Sequence, residues 1–272
     1  MSDVINYKHA LPPLDAVMPY MPQLIVSILF EGAAVAFLIY AIYLSTKWKS
    51  WMPLLYWFGG LSAVVVEPIA DAVLHAVHAP VGQWNAFTSH GHPIPWHIFL
   101  AYPWYYGATQ IIAWPLIAKR TLDRKLAWKI FWIGAVWVTL LEQIPILYGV
   151  WIYYGPHPFK IGFMPVTMVV PNMASVVMTL LVIYKLAPSI NKGWKQLIAI
   201  PATGMTALGA HAGSGALMYT IMGMDLEQMG PLWLNVLGAI SIVLGFICIW
   251  MTIEICLDKD ERGATPLATP PR

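Results

Sequence analysis

Seven apolar runs, each long enough to cross about 30 Å of hydrocarbon, decide what this chain can fold into. They lie near residues 22–45, 51–78, 95–118, 127–153, 162–187, 195–221 and 231–256. A bilayer core offers no water, so every backbone N–H and C=O in such a run must bond within its own segment, as a helix allows. The expected fold is therefore an all-α polytopic membrane protein, a bundle of seven transmembrane helices. Hydrophobic residues make up 59% of the chain and charged residues 10%, with a mean hydropathy of +0.65, values that exclude an ordinary soluble domain. No internal repeat is visible, so residues 1–257 read as one seven-helix domain. Residues 258–272, with their prolines, threonines and charges, read as a disordered cytoplasmic tail. Residues 1–21 are polar or broken by Pro12 and Pro13, and no basic stretch leads into a cleavable apolar core, so no signal peptide is expected. Cys248 and Cys256 sit in or beside one apolar run and suggest neither a disulfide framework nor a zinc site.

Lysine and arginine orient the bundle. Lys47 and Lys49 follow the first run; Lys119, Arg120, Arg124, Lys125 and Lys129 surround the turn after the third; Lys185, Lys192 and Lys195 lie between the fifth and sixth; Lys259, Arg262 and Arg272 are in the tail. That places 13 of the 15 basic residues on one side and leaves Lys8 and Lys160 on the other. The N-terminus is expected outside and the C-terminus in the cytoplasm, in a bacterial plasma membrane.

Within the second run, Glu67, Asp71, His75 and His78 fall within about 80° of arc on a continuous helix, among Ala, Val, Ile and Leu. A charged group at the centre of a membrane helix costs about 2.5–3.5 kcal/mol unless it is paired or hydrated. Four such residues in register read as the wall of a site. The second run is longer than a span needs, so its histidine-bearing end is expected to emerge from the membrane. Other helices offer polar groups at similar depth, from the middle to the outer half: Glu31 in the first, Glu142 in the fourth, Asn172 in the fifth and His211 in the sixth. Convergence at one depth is what a buried polar cavity requires, because each group needs a partner. The outer loop Gly82–His97 lacks lysine and arginine and can fold back as a lid, carrying Trp84. Tyr102, Tyr105 and Tyr106 follow it, each combining an apolar body with a hydroxyl suited to lining a site.

Glu67-Pro68, Gly82-Gln83-Trp84, Pro93-Ile94-Pro95, Ala101-Tyr102-Pro103-Trp104-Tyr105, Glu142, Tyr153-Tyr154-Gly155 and Pro171-Asn172 together resemble the spirocyclase AveC family of actinobacterial membrane proteins. The likeness covers most of the chain through short, scattered motifs. It implies a multi-helix membrane protein, with a named family member that closes a spiroketal on a polyketide and a dehydration as a further activity.

Spiroketal closure and alcohol dehydration both need an acid to protonate a leaving hydroxyl and a base to collect a proton. A carboxyl desolvated among apolar helices stays protonated and can donate, while an ionised neighbour or a neutral histidine takes the proton back. Glu67, the deeper, and Asp71, nearer water, form such a pair, with His75 or His211 as alternatives for the base. The candidate catalytic residues are Glu67, Asp71, His75, Glu142 and His211. The candidate substrate-binding residues are Glu31, Trp84, Tyr102, Tyr105, Tyr106 and Asn172. No metal ligand is assigned, and no cofactor is expected, since neither a dinucleotide fingerprint nor a phosphate loop is present. The expected partners are a lipophilic small molecule (a polyketide, isoprenoid or lipid) and membrane lipids, with no nucleic acid. One alternative is a metal-dependent oxygenase built on Asp71 and His75, completed by His78, His90, His92 or His97. Another is a non-enzymatic lipid-binding or accessory subunit. A transporter lacks the expected paired broken helices, and a retinal protein lacks a lysine in the last run.

Overall fold

The computed structural model describes residues 10–224, 226–257 and 266–267, with 226–229 described by backbone alone. Helix α1 (Tyr20–Trp48) starts after the extended Pro19 and stops where Lys49 turns left-handed, its N–H meeting the carbonyls of Ser45 and Thr46. Lys47, in the last turn, complements the negative end of the helix dipole. Ile25, Ile28, Leu29 and Ile39 stay exposed, whereas Gln23, Ser27, Phe30 and Ala34 turn inward. That division suits a helix at the lipid boundary.

The second pass consists of α2 (Met52–Ser62), a 3-10 turn (Ala63–Val65) and α3 (Val66–Leu74). Pro68 accounts for the tightening. It has no N–H for the Val64 carbonyl and its ring crowds that oxygen, so the chain winds more tightly just before it. The helix expected to continue to residue 78 ends at Leu74. His75 adopts a left-handed backbone (φ 53°) and its N–H closes onto the Asp71 carbonyl. Ala76–His78 then forms strand β1.

Short ribbons fill the connections after the second and fourth passes and correct the all-helical expectation locally. β1 pairs antiparallel with β4 (Trp151–Tyr153), with His78 opposite Trp151, so the fourth helix also stops short of 153. β2 (Asn85–Ser89) and β3 (His92–Pro95) form a hairpin whose turn puts His90 and Gly91 at φ 53° and 77°, the signs a two-residue hairpin turn prefers. β5 (Lys160–Ile161) pairs with β6 (Met164–Pro165).

The third run is broken into α4 (Trp96–Phe99), α5 (Tyr102–Tyr105) and α6 (Gly107–Lys119). It is followed by α7 (Arg124–Leu147), α8 (Val166–Ile190), α9 (Ala199–Met222) and α10 (Leu226–Cys256). Among the described residues, five helices are long and apolar enough to cross a membrane: Tyr20–Trp48, Met52–Leu74, Arg124–Leu147, Val166–Ile190 and Gly230–Cys256. The molecule is thus a mostly helical membrane protein. α8 is its interior helix, buried along most of its length, while α1, α7 and α10 present broad apolar faces outward.

Glycines set the positions that matter for the site. A Cβ on Gly60 would stand 2.8 Å from the carbonyls of Tyr102 and Pro103, and one on Gly107 would stand 2.7 Å from the Tyr56 carbonyl. The backbones of α2 and α5–α6 touch there, as small residues allow in membranes. On its other side α2 meets α9, where the Ser62 hydroxyl donates to the Ile200 carbonyl at 2.8 Å. At one end of the bundle Arg124 pairs with Glu254 at 2.7 Å, and the Leu267 N–H donates to the Ala118 carbonyl at 2.7 Å. Apart from Pro266 and Leu267, the tail expected at 258–272 lies outside the described residues.

Candidate functional site

A cavity of about 130 Å³ lies among α3, α5, α7, α8 and α9, bordered by β1 and β4. Glu67, Asp71, Glu142, Asn172 and His211, placed at a common depth by sequence, all line it, as do Tyr102, Tyr105 and Tyr106. Two hydrogen-bonded arms face each other across this space.

The first arm is built on α3. Pro68 follows Glu67, and Asp71 stands one turn further along the same helix. The Tyr102 hydroxyl donates to Glu67 Oε2 at 2.5 Å, a contact set up by the close approach of Gly60 to α5. His78 Nε2 reaches Glu67 Oε1 at 2.7 Å and lies 3.7 Å from Asp71 Oδ2. Asp71 is 6% exposed, and its Oδ2 accepts no hydrogen bond among the described residues. One imidazole nitrogen therefore faces both carboxyl groups. With the Nε2 proton directed at Glu67, Nδ1 of His78 is a bare acceptor, and it is buried without a donor.

The second arm crosses three helices. Glu142 accepts from the Tyr153 hydroxyl at 2.8 Å and from the Asn172 amide at 3.4 Å. Asn172 Oδ1 meets His211 Nε2 at 3.1 Å, and His211 Nδ1 meets the Tyr219 hydroxyl at 2.5 Å. Because a carbonyl oxygen only accepts, His211 carries its proton on Nε2. From His211 the bonds run in one direction, to Asn172 and on to Glu142, while the single Tyr219 hydroxyl proton has two acceptors, His211 Nδ1 at 2.5 Å and the His211 carbonyl at 2.8 Å. Ser175 donates to the Asn172 carbonyl at 2.7 Å, which makes Tyr106 the donor to Ser175 at 3.0 Å.

Three residues expected at the site stand away from it. His75, on the far side of its left-handed turn, stacks its ring on Tyr154 at 5.0 Å and does not line the cavity. Glu31 is half-buried on α1 outside the lining. Trp84 is 38% exposed, edge-on to Tyr20, and its backbone N–H donates to Gln23 Oε1 at 2.9 Å. Sequence reasoning missed the site roles of Phe30, Trp104, Trp151, Tyr153 and Tyr219. Tyr219 was within reach, because eight residues after His211 is about the same helix face. Trp151 and Tyr153 belong to a strand whose pairing a helical reading hides.

Outside the spans, burial followed by the nearby Lys160 lowers the pKa of His157 to about 4, and its Nε2 lies 3.0 Å from the Tyr154 carbonyl. Its ring also meets Tyr153 edge-on at 5.6 Å, so it braces the second arm from the loop. Glu67, Asp71 and His78 each offer one ligand atom, all within 4.8 Å of one another, a set that could hold a metal ion. No family model, no curated protein and no solved structure matches this chain.

Proposed function

We propose that this chain is a membrane-embedded enzyme that acts on a lipophilic substrate by cofactor-free acid–base chemistry of the cyclisation or dehydration type. Seven helical passes carry it, with α2–α3 and α4–α6 each counted as one pass, the N-terminus outside and the C-terminus in the cytoplasm of a bacterial cell. The partition of basic residues supports that orientation. The pairing of Arg124 with Glu254 brings the start of α7 and the end of α10 to one face, as seven passes require. The resemblance to the spirocyclase family points to the same chemistry.

One observation carries the reading: two carboxyl groups in unequal surroundings share one imidazole nitrogen at the wall of a buried cavity. Glu67 accepts two hydrogen bonds, a setting that favours its ionised form as base. Asp71 Oδ2 accepts none among the described residues, so Asp71 is the better holder of the transferable proton. Depth counted along the sequence assigns the acid to Glu67, but Asp71 is the more buried side chain of the two, and the hydrogen bonds favour it as the acid with Glu67 as its partner. The test begins with extraction and mass spectrometry of lipid that co-purifies with the protein, to identify a substrate. Asp71→Asn should then lower turnover by about 10²–10⁴-fold. Parental turnover in a folded Asp71→Asn protein would sink the assignment.

A second reading follows from the same three residues. A divalent metal held by Glu67, Asp71 and His78 would supply Lewis-acid or oxygen chemistry, in place of the Asp71 and His75 pairing considered from sequence. About one equivalent of a transition metal in the purified protein, lost in His78→Gln, would favour it over the first.

A further inference from the structure

We propose that the site takes the terminal isoprene unit of a linear polyene and closes it into a ring by proton-initiated cyclisation. This rests on the acid–base reading and names its substrate class. Trp151, Phe30, Trp104, Tyr105, Tyr106 and Tyr102 all line the cavity. Each ring touches the next, with centroids 6.4, 5.2, 6.1, 5.1 and 5.4 Å apart in that order. Such a shell stabilises a cation through its ring quadrupoles, most strongly where water is excluded.

The polar lining argues against a heavily hydroxylated substrate. The hydroxyls of Tyr102, Tyr106 and Tyr153, and the side chains of Glu142, Asn172 and His211, are engaged with protein partners. Among the described lining atoms, Asp71 Oδ2, His78 Nδ1, Tyr105 Oη and Trp104 Nε1 are buried without one. A spiroketal precursor brings several hydroxyls and a ketone, whereas a hydrocarbon terminus needs one acid and aromatic walls. Size agrees with this. A volume near 130 Å³ is close to the apolar cavity of about 150 Å³ that admits benzene. One six-membered ring fits, and the rest of the chain lies outside the cavity.

The reaction balances without a co-reactant. Asp71 gives its proton to the terminal double bond, forming a C–H bond and a tertiary cation. A second double bond of the chain attacks, forming the ring C–C bond and a new cation. Loss of a proton from the neighbouring carbon to the Glu67 carboxylate restores a double bond, so the product is an isomer of the substrate. The cycle closes at His78 Nε2, 2.7 Å from Glu67 and 3.7 Å from Asp71: its own proton passes to the Asp71 carboxylate as the proton on Glu67 replaces it.

Two measurements on the full chain in phosphatidylcholine nanodiscs separate this inference from the reading beneath it. The first compares binding of N,N-dimethyldodecylamine, which is protonated at neutral pH and mimics the tertiary cation, with its neutral isostere 2-methyltetradecane, each corrected for empty nanodiscs. The amine should bind about tenfold more tightly than the isostere. Tyr105→Leu should lose most of that preference, and Tyr105→Phe, which keeps the ring and breaks no hydrogen bond, should retain it. Trp104→Leu and Trp104→Phe give the same comparison if the first Leu variant fails to fold. The second measurement follows deuterium uptake from D2O into cyclised products of linear polyenes from C15 to C40. Absence of an amine preference, or its survival in both Leu variants, overturns the isoprenoid assignment even if a hydroxylated ketone is turned over and the acid–base reading stands. An amine preference with no deuterium entering any polyene overturns the cyclisation, and turnover of a hydroxylated ketone, lost in Asp71→Asn, would show that the acid–base reading stands without it.

Discussion

The two arms flanking the cavity are made of similar residues and differ in how completely they are satisfied. On the α7–α8–α9 side, both Glu142 oxygens accept, Asn172 both donates and accepts, and both His211 nitrogens are occupied. On the α3 side, Glu67 is satisfied, while Asp71 Oδ2 and His78 Nδ1 are buried without a hydrogen-bond partner among the described residues. A saturated network rigidifies, because moving any member exposes an unpaired polar atom at a cost of about 1–3 kcal/mol. An unsaturated one keeps acceptors and protons available for a substrate. The contrast assigns chemistry to α3 and positioning to the arm opposite, although sequence placed Glu142 and His211 among the candidate catalytic groups.

The largest effect should come from the unsaturated arm. Asp71→Asn keeps the shape but removes the transferable proton, so turnover should fall by about 10²–10⁴-fold with little change in the melting temperature. Glu67→Gln should fall by a similar factor. If the pair acts as one unit, the double variant should be little worse than the worse single one. Strictly multiplicative losses, measured as product formation per unit of folded protein, would separate the two carboxyls into independent roles.

Next comes a pH effect on the second arm, through His157. Its folded pKa of about 4 lies below the ordinary value of 6.5, so the fold favours neutral imidazole. The unfolded chain takes up a proton at this residue as the pH falls below 6.5, and the folded chain resists until about pH 4. The stabilisation from a neutral His157 is therefore complete above pH 6.5 and is lost as acid brings the pH down to about 4, for a total of about 3 kcal/mol. Unfolding in detergent at pH 7.5 and pH 4.5 should show that loss, and His157→Gln should remove most of it. An unchanged pH dependence in the variant would detach His157 from the bracing of Tyr153.

Asn172→Leu probes the centre of the same chain and keeps the branching of the side chain. It strips a donor from Glu142 and an acceptor from His211, so a destabilisation of about 2 kcal/mol is expected, read as a lower denaturation midpoint. Wild-type stability would mean that the chain is not tensioned through Asn172.

How much of this was legible in the sequence depended on which physical rule governed each residue. Apolar length marks a span in any context, and counting along the spans brought Glu67, Asp71, Glu142, Asn172 and His211 to one depth without any knowledge of packing. The end of α3 followed another rule. Nothing in the composition around His75 requires a left-handed backbone, and one such residue turns its side chain toward Tyr154 and sends His78 back along a strand. The residues that the sequence aligned on one helix face thus reach their places by two routes, and His75 drops out. The aromatic lining was hidden for a related reason. Phe30 and Trp104 belong to helices whose inward faces are decided by contacts such as Gly60 against α5, which a one-dimensional pattern does not contain.

The smallest effect, and the sharpest test of the contrast, is Glu142→Gln. The new side chain keeps one carbonyl oxygen, which can accept from Tyr153 as Oε2 does now at 2.8 Å. Its amide then faces the Asn172 amide, two donors where one bond of 3.4 Å stood. Asn172 cannot turn over to relieve this, because its Oδ1 holds His211 Nε2 at 3.1 Å. One long hydrogen bond is lost and no charge or proton on the α3 side changes, so stability should fall by about 1 kcal/mol and turnover by less than about tenfold. Measured beside Glu67→Gln on the same substrate, this substitution separates a carboxylate that positions from one that exchanges protons. A loss as large as that of Glu67→Gln, with the melting temperature unchanged, would make Glu142 a proton carrier. The two arms would then be halves of one acid–base machine, with Asn172 and His211 as the path between them and the cavity.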